Sequence, residues 1–209
     1  AAGGFRRIAA RDRDSVERLL AAFFEMKAAR FQRMGIHDVF ADPGIKDTWR
    51  QIFLSALDEP GLPFRLDALE VGGQLRAVTG CSVSGTRITC EVGAIRDDEL
   101  ASVSPGDFLF FESISAACDA GFATYDFGVG DEPYKRMWCD LETRHFDVDV
   151  PLSAKGRLLA LSRRTTSAAK RRIKGNPALW AMAKRLRRLI AGGAEPQAPR
   201  RDDEEPSGR

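Results

Sequence analysis

The chain of 209 residues is long enough for one domain with appended segments, and its 44% hydrophobic residues suffice for a sizeable core. No apolar run reaches the length of a membrane-spanning helix, and four cysteines without paired spacing, beside two histidines, argue against a metal site. The net charge of +2 is divided unevenly along the chain. Residues 1–150 are acidic, with 17 basic and 25 acidic side chains, whereas residues 151–191 are basic, with 12 basic and no acidic ones.

The first 60 residues predict two amphipathic helices. Asp14 and Glu17 fit a capping box for the first, and apolar residues follow at helical spacing as far as Met34. Asp42-Pro43 opens the second helix, which Glu59-Pro60-Gly61 ends.

The hydrophobic period then changes to two, which predicts β-strands. Gly72-Gly73 and Ser84-Gly85 are turn signals that separate three such runs. The predicted strands cover residues 64–71, 75–83 and 86–95. Strands joined by tight turns form an antiparallel meander.

Residues 104–138 carry the most informative pattern. Ser104 is a suitable N-cap for a helix to Ala120, and Gly121 can take the left-handed conformation that stops it. A short strand, 122–127, leads into a Gly-rich acidic loop, and ligands of α/β folds gather at such strand ends and helix N-termini. Alternation over 144–150 predicts a further strand.

Two motifs in this region resemble a known family. They are Ser104-Pro105-Gly106 at the helix start and Tyr-Asp-Phe-Gly-Val-Gly-Asp-Glu-Pro-Tyr-Lys-Arg-Met-Trp at 125–138. Together they resemble GNAT-type acyltransferases of the cellulose-biosynthesis acetyltransferase (CelD/BcsL-like) group, which are relatives of the Fem peptidoglycan aminoacyltransferases. The similarity extends more loosely from Phe5 to Leu161.

The resemblance implies an α+β fold with a GNAT-like mixed, mostly antiparallel sheet flanked by helices and a basic helical C-terminal extension. Because the family usually carries a second GNAT-like domain upstream, we expect residues 1–152 to be the C-terminal half of a longer protein. The basic helical extension would cover 153–191, with an apolar stripe from Leu179 to Ile190, and 192–209 are expected to be disordered.

The resemblance also implies acetyl-CoA or another acyl-CoA as co-substrate, and the cysteine and histidine pattern predicts no metal. Its pyrophosphate would lie at the helix N-terminus, on Ser104, Pro105 and Gly106. The common GNAT signature Gln/Arg-x-x-Gly-x-Gly/Ala is absent there, and an ordinary helix cap is the alternative interpretation.

Five residues that follow form the expected catalytic set. Lys135 would neutralise phosphate or polarise a carbonyl, and Tyr134 would donate a proton to the leaving thiolate. Asp126, Asp131 and Glu132 are candidate proton acceptors. In the structural alternative, Asp131 and Glu132 cap the turn at 133–138 and Tyr134 packs beneath it.

Glu91, in the third strand of the meander, is a further base candidate. In many GNAT proteins that strand carries the base near a bulge, which Gly93 could supply. A solvated strand residue is the alternative, and His37 and His145 are expected to be structural or surface residues.

The resemblance implies N- or O-acylation of a saccharide or of a cell-envelope or exopolysaccharide precursor. One alternative is a Fem-like aminoacyl-tRNA donor, with residues 155–188 holding RNA phosphates. Another is a non-catalytic scaffold whose basic helix binds membrane or nucleic acid. We expect a cytoplasmic protein, peripheral at the inner membrane face through residues 155–188, and no specific nucleic acid partner.

Overall fold

The described part of the chain, in a computed structural model, comprises residues 3–146 and 148–174 together with residues 176, 179 and 182. It divides into two compact units, Ala1–Asp140 and Leu141–Arg209. The predicted disordered tail and nearly all of the predicted apolar stripe at 179–190 lie outside the described residues.

The first unit is built on a five-stranded mixed sheet in the order β1-β2-β3-β4-β5. The first four strands are antiparallel neighbours, whereas β5 runs parallel to β4. The strands are β1 (Phe5–Ala9), β2 (Phe64–Val71), β3 (Gln74–Ser84), β4 (Arg87–Ile95) and β5 (Thr124–Asp126). The predicted mixed, mostly antiparallel sheet flanked by helices is confirmed.

Helices cover both faces of the sheet. They are α1 (Arg13–Met34), α2 (Pro43–Ala56), α3 (Pro105–Asp119) and α4 (Pro133–Trp138). The buried side chains of α1 and α2 pack with Ala68 and Val78, whereas Leu109 of α3 packs with Leu69 and Ala77. Because successive strand residues point to opposite faces, the two helix layers lie on opposite sides of the sheet.

The cap of α1 lies two residues before the predicted one. Asp12 is the N-cap, its Oδ1 accepts from Ser15 N at 2.8 Å, and Ser15 Oγ accepts from Asp12 N at 3.2 Å. The predicted capping box at Asp14 and Glu17 is therefore wrong, because Asp14 is already within the helix. The predicted start of α2 is confirmed, since Asp42 Oδ1 accepts from Gly44 N at 2.8 Å.

The edge strand β1 is absent from the sequence predictions, and the predicted strand at 144–150 is wrong. Phe5 pairs with Val71 across 66 positions of sequence, so no local pattern reveals β1. The described residues of 144–150 form no strand, and Phe146, Val148 and Val150 are exposed. Among the described residues, no strand pairs with this segment.

The second unit contains α5 (Ala154–Lys174), the predicted basic helix. Ser153 Oγ accepts from Gly156 N at 3.0 Å at its start. Arg163 Nη1 lies 3.1 Å from Asp149 Oδ1.

Candidate functional site

An opening lies between β4 and the chain that follows β5. The parallel pairing covers Arg87–Thr89 with Thr124–Asp126 and then stops, although β4 continues to Ile95. Within the described chain, residues 90–95 of β4 have no strand partner on that side. A Cβ on Gly128 would lie 3.5 Å from the Cys90 carbonyl oxygen, so the loop after β5 passes close to β4. We call the space between 90–95 and 127–132 the β4–β5 opening.

A bulge interrupts β4 at Glu91. Gly80 pairs with Val92 and Cys81 with Cys90, which leaves Glu91 without a partner on β3. Gly93 pairs regularly with Thr79, so the predicted bulge at Gly93 is wrong and lies two residues earlier. Glu91 is exposed, and its Oε1 accepts from Ser82 Oγ at 2.7 Å. The bulge leaves Glu91 as a solvent-accessible carboxylate on β4 that bonds toward β3.

The N-terminus of α3 lies at the end of β4. A Cβ on Gly106 would lie 2.8 Å from Ile95 Cδ1, which shows how closely the helix start approaches the strand. Ser104 occupies the N-cap position in a left-handed conformation, φ 52°, and its side chain makes no capping bond, contrary to the predicted cap. Within the described chain, the N–H groups of Gly106 and Asp107 make no hydrogen bond. They are two donors that an anion could accept from.

A cluster of aromatic rings holds α4 against α3. Tyr134 stacks on Phe110 with ring centroids 5.6 Å apart and planes 7° apart, and Phe127 meets the Phe110 ring edge-on at 4.9 Å. Trp138 Nε1 donates to Asp107 Oδ1 at 3.3 Å. Burial, followed by the charges of neighbouring groups, raises the pKa of Tyr134 to about 12. Its hydroxyl therefore keeps its proton at neutral pH.

Lys135 is buried, with 9% of the residue exposed. Its ammonium donates to the carbonyl oxygens of Val129 at 3.1 Å and Gly128 at 3.4 Å, and lies 3.0 Å from Glu132 Oε2. The ion pair of Lys135 with Glu132 lies against Gly130, where a Cβ would be 2.8 Å from Lys135 Nζ. This position therefore favours a residue without a side chain. Three acceptors match the three N–H groups of the ammonium, and Lys135 holds the loop together.

The three predicted carboxylates all face cations or backbone donors. Asp126 Oδ2 accepts from Arg87 Nη1 at 2.7 Å and Asp126 Oδ1 from Gly128 N at 2.8 Å. Asp131 forms an exposed bidentate pair with Arg136. Glu132 occupies the N-cap position of α4, but its carboxylate pairs with Lys135 and makes no capping bond.

Of the predicted residues, the structure brings Glu132, Tyr134 and Lys135 together at the opening. Asp126 lies at the end of β5, where it turns the chain into the loop, and Asp131 lies at the surface. Ser104, Pro105 and Gly106 lie at the start of α3, which the contact of Asp107 with Trp138 joins to α4.

Cys90 is a residue of the opening that sequence reasoning missed. It lies opposite Cys81, and the pKa of its thiol is lowered by the hydrogen bond to Cys81 and by the positive charge of Lys135, against the effect of burial. The two cysteines are nine positions apart, and their pairing across the bulge depends on a register that the sequence does not display.

Within the described residues, no group of three or more His, Cys, Asp or Glu side chains is placed to hold a metal ion. In that same part of the chain, none of the helices is both long and apolar enough to cross a bilayer.

This architecture matches that of a known protein family. The family described as "Acetyltransferase (GNAT) domain" matches residues 1–136. No curated protein matches the chain.

Several solved structures are similar to the chain at low identity. A possible acetyltransferase from Clostridium difficile 630 is 14% identical, with 69% of this chain and 97% of that chain covered and a TM-score of 0.46. A predicted acetyltransferase with acetyl-CoA from Clostridium acetobutylicum is 9% identical, with 69% and 95% covered and a TM-score of 0.49. An aminoglycoside acetyltransferase from an uncultured soil metagenomic sample, in complex with sisomicin, is 13% identical, with 70% and 96% covered and a TM-score of 0.48.

The family match spans well over half of the chain, and it covers the sheet, the opening and the start of α4. The chain therefore belongs to the GNAT acetyltransferase family and is an acyltransferase.

Proposed function

We propose that the chain transfers an acyl group, acetyl in the simplest case, from acyl-CoA to a hydroxyl or amine of a saccharide or cell-envelope precursor. The observation that carries the proposal is the parallel pairing of β4 with β5, which stops after three residue pairs while β4 continues to Ile95. An extended, amide-bearing arm such as that of CoA can bind the backbone groups that this edge leaves unpaired.

The start of α3 supports a place for the pyrophosphate. Gly106 and Asp107 offer N–H groups that make no hydrogen bond within the described chain, and α3 adds the positive end of its dipole. Ser104, with φ 52°, and Pro105 form the turn that leads into α3. This arrangement would serve in place of the common GNAT signature that the sequence lacks.

The proposed chemistry is direct transfer. The acceptor oxygen or nitrogen attacks the thioester carbonyl, Glu91 takes its proton directly or through water, and the carbon–sulfur bond breaks. Tyr134 then donates its proton to the departing thiolate. The solvent-accessible position of Glu91 at the bulge supports the first role, and the protonated state of Tyr134 at neutral pH supports the second.

We assign positioning roles to the other predicted catalytic residues. Lys135 and Glu132 fix the loop beside Tyr134, and Asp126 holds Gly128 close to β4. Asp131 pairs with Arg136 at the surface, away from bond-making.

The acceptor class rests on the resemblance of residues 104–138 to the cellulose-biosynthesis acetyltransferase group. The Fem relatives make an aminoacyl-tRNA donor the alternative. Because the chain belongs to an acyltransferase family, we do not pursue the alternative of a non-catalytic scaffold.

We also propose that α5 attaches the protein to an anionic membrane, at the cytoplasmic face of the inner membrane. Residues 154–174 contain eight basic and no acidic residues. Leu158, Leu159 and Leu161 are 59–71% exposed on this helix. Basic and apolar side chains on one exposed helix suit the interface of an anionic bilayer.

The test is release of CoA thiol from acetyl-CoA in the presence of a panel of neutral, amino and phosphorylated saccharides. We expect saccharide-dependent release by the wild type. Glu91→Gln should lower kcat by about 10²-fold, because the amide accepts no proton. Glu142→Gln, an exposed change in the second unit, is the matched control and should leave kcat unchanged. Absence of release with every saccharide, or full activity of Glu91→Gln, would contradict the proposal.

A further inference from the structure

A buried arginine of β3 reaches the β4–α3 connection, residues 96–104. Arg76 is 7% exposed, and its two terminal nitrogens pair with different carboxylates of the connection. Nη1 pairs with Asp98 Oδ2, and Nη2 lies 3.0 Å from Glu99 Oε1. The Asp98 side chain is 15% exposed and that of Glu99 72%. Because a buried guanidinium is costly without a partner, the pair with Asp98 is the one that offsets the burial of Arg76.

The first two residues of the connection are also bound, but through pairs that water can reach. Arg96 N donates to Arg76 O at 2.8 Å, and Arg96 Nη1 pairs with Glu25 of α1 at 2.9 Å. Asp97 pairs with Arg33 of α1. Glu25 and Arg33 are both exposed, so these two ion pairs contribute less than a buried one to fixing the connection.

Asp98 continues the link from Arg76 toward α3. Its Oδ1 accepts from Leu100 N at 3.0 Å, and its carbonyl oxygen accepts from Ala101 N at 3.0 Å. These bonds start the 3-10 turn Ala101–Val103, whose first carbonyl oxygen accepts from Ser104 N at 3.3 Å. Hydrogen bonds therefore run without a break from the carboxylate of Asp98 to the residue that precedes α3.

The residue before α3 requires such support. Ser104 has φ 52°, a left-handed conformation that is unfavourable for a residue with a Cβ and persists only where its surroundings hold it. Its side chain makes no capping bond, so its backbone groups carry the link. Ser104 O accepts from Phe108 N at 3.2 Å, in the first turn of the helix. The conformation at which α3 begins thus depends on the connection that Arg76 and Asp98 hold.

We infer that Arg76 is a positioning residue for the acyl-CoA donor. Through Asp98 it holds the β4–α3 connection in the conformation in which the N–H groups of Gly106 and Asp107 bind the pyrophosphate. Without Arg76, Asp98 is a largely buried carboxylate without its cation, which favours rearrangement of the connection. The inference deepens the proposed function and rests on it for the place of the pyrophosphate.

The experiment titrates the full chain calorimetrically with acetyl-CoA and with acetyl-pantetheine, which keeps the thioester and an amide but lacks every phosphate. The variants are Arg76→Met, Arg76→Lys and Asp98→Asn, each checked for folding by circular dichroism. Arg7→Met is the matched control. Arg7 Nη2 also pairs with a buried carboxylate, Asp67 Oδ1 at 2.7 Å, but lies on the edge strand β1, away from the connection.

We expect the wild type to bind acetyl-CoA more tightly than acetyl-pantetheine. Arg76→Met should lower the affinity for acetyl-CoA about tenfold and leave that for acetyl-pantetheine unchanged, because only the phosphate contacts depend on the connection. Arg76→Lys should recover part of this loss, since an ammonium can still pair with Asp98. Asp98→Asn should lose less than Arg76→Met, because the amide oxygen still accepts from Leu100 N.

The control separates positioning from stability. Arg7→Met should lower the melting temperature, as Arg76→Met does, because each leaves a buried carboxylate unpaired, yet keep the wild-type preference for acetyl-CoA. If Arg76→Met does not fold, the loss of preference in Asp98→Asn decides.

Wild-type preference for acetyl-CoA in folded Arg76→Met and in Asp98→Asn would overturn the inference while the proposed donor site stands. An equal loss for both ligands in Arg76→Met, or a loss of preference in Arg7→Met, would also overturn it, since instability alone would then explain the effect. A wild type that binds acetyl-CoA no better than acetyl-pantetheine would overturn the proposed pyrophosphate site, and this inference with it.

Discussion

At the scale of single residues, two neighbouring residues of α4 have different proposed roles. Tyr134 lies with its ring on Phe110 and its hydroxyl without a hydrogen bond in the described chain. Lys135 has all its donors occupied by the loop. The resemblance gives both residues catalytic roles, whereas the geometry supports a proton donor for the first and an anchor for the second.

Tyr134→Phe should lower kcat by about 10²-fold with little change in melting temperature, because the stacked ring remains and only the proton donor is lost. Since the pKa of Tyr134 is about 12, the wild-type rate should not fall through loss of this proton between about pH 7 and pH 9. A pH–rate profile of both proteins checks this, and an unchanged kcat in the variant would exclude Tyr134 as the acid.

Lys135→Met should lower the free energy of unfolding by about 1–3 kcal/mol, because Glu132 and two carbonyl groups lose their donor. Arg136→Met, on the same helix, removes an exposed pair with Asp131 and should cost less than about 1 kcal/mol. Urea unfolding measures both. If Lys135→Met unfolds like the wild type yet loses turnover, Lys135 takes part in the chemistry, as the resemblance implies.

At the scale of elements, the geometry of the candidate site depends most on β4, because this strand carries the bulge, the unpaired edge and the contact with α3. Its bounds were predictable from alternation and from the turn at Ser84-Gly85. The bulge was not, because it depends on which residue of β3 opposes which residue of β4. For the same reason, β1 escaped prediction, and alternation at 144–150 predicted a strand where the described residues form none.

The sequence signals for helix starts were confirmed at α2 but not at α1 or α3, and each outcome has a local cause. Asp42-Pro43 starts α2 as predicted, since the cap and the fixed proline angle act within a few residues. Ser104 has the right position but a left-handed backbone and no capping bond. For α1, Asp12 with Ser15 caps the helix ahead of the predicted pair.

Gly80 and Gly93 test the register of β4 directly. A Cβ at Gly80 would lie 2.8 Å from Val92 Cγ2 and 2.9 Å from Phe53 Cζ, in the packed core. Gly80→Ala should therefore lower the free energy of unfolding by about 1–3 kcal/mol. Gly93→Ala meets nothing closer than 3.9 Å and should change it by less than about 0.5 kcal/mol. The opposite order in thermal unfolding would contradict the packing that this register gives the two glycines.

At the scale of the whole molecule, charge is divided between the two units. Residues 1–150 carry a net charge of −8 and residues 151–191 of +12, so an anionic surface attracts only the second part. This division supports catalysis and attachment as separable functions of one chain.

Sedimentation with vesicles containing about one third anionic lipid tests the attachment. We expect wild-type protein to bind these vesicles, to be released by salt and to ignore neutral ones. Replacing Leu158, Leu159 and Leu161 by serine should weaken binding while acetyl-CoA turnover persists. Equal binding to neutral vesicles, or undiminished binding by the serine variant, would argue against a membrane role for α5.

Acyl-CoA is proposed to bind at the β4–β5 opening with its pyrophosphate on the start of α3. The most direct measurement is an amide NMR titration of the full chain with acetyl-CoA, following Gly106 and Asp107. We expect saturable shifts of these two N–H signals with acetyl-CoA and much smaller ones with acetyl-pantetheine. Saturable binding that leaves both signals unmoved, or no binding by the folded chain, would contradict it.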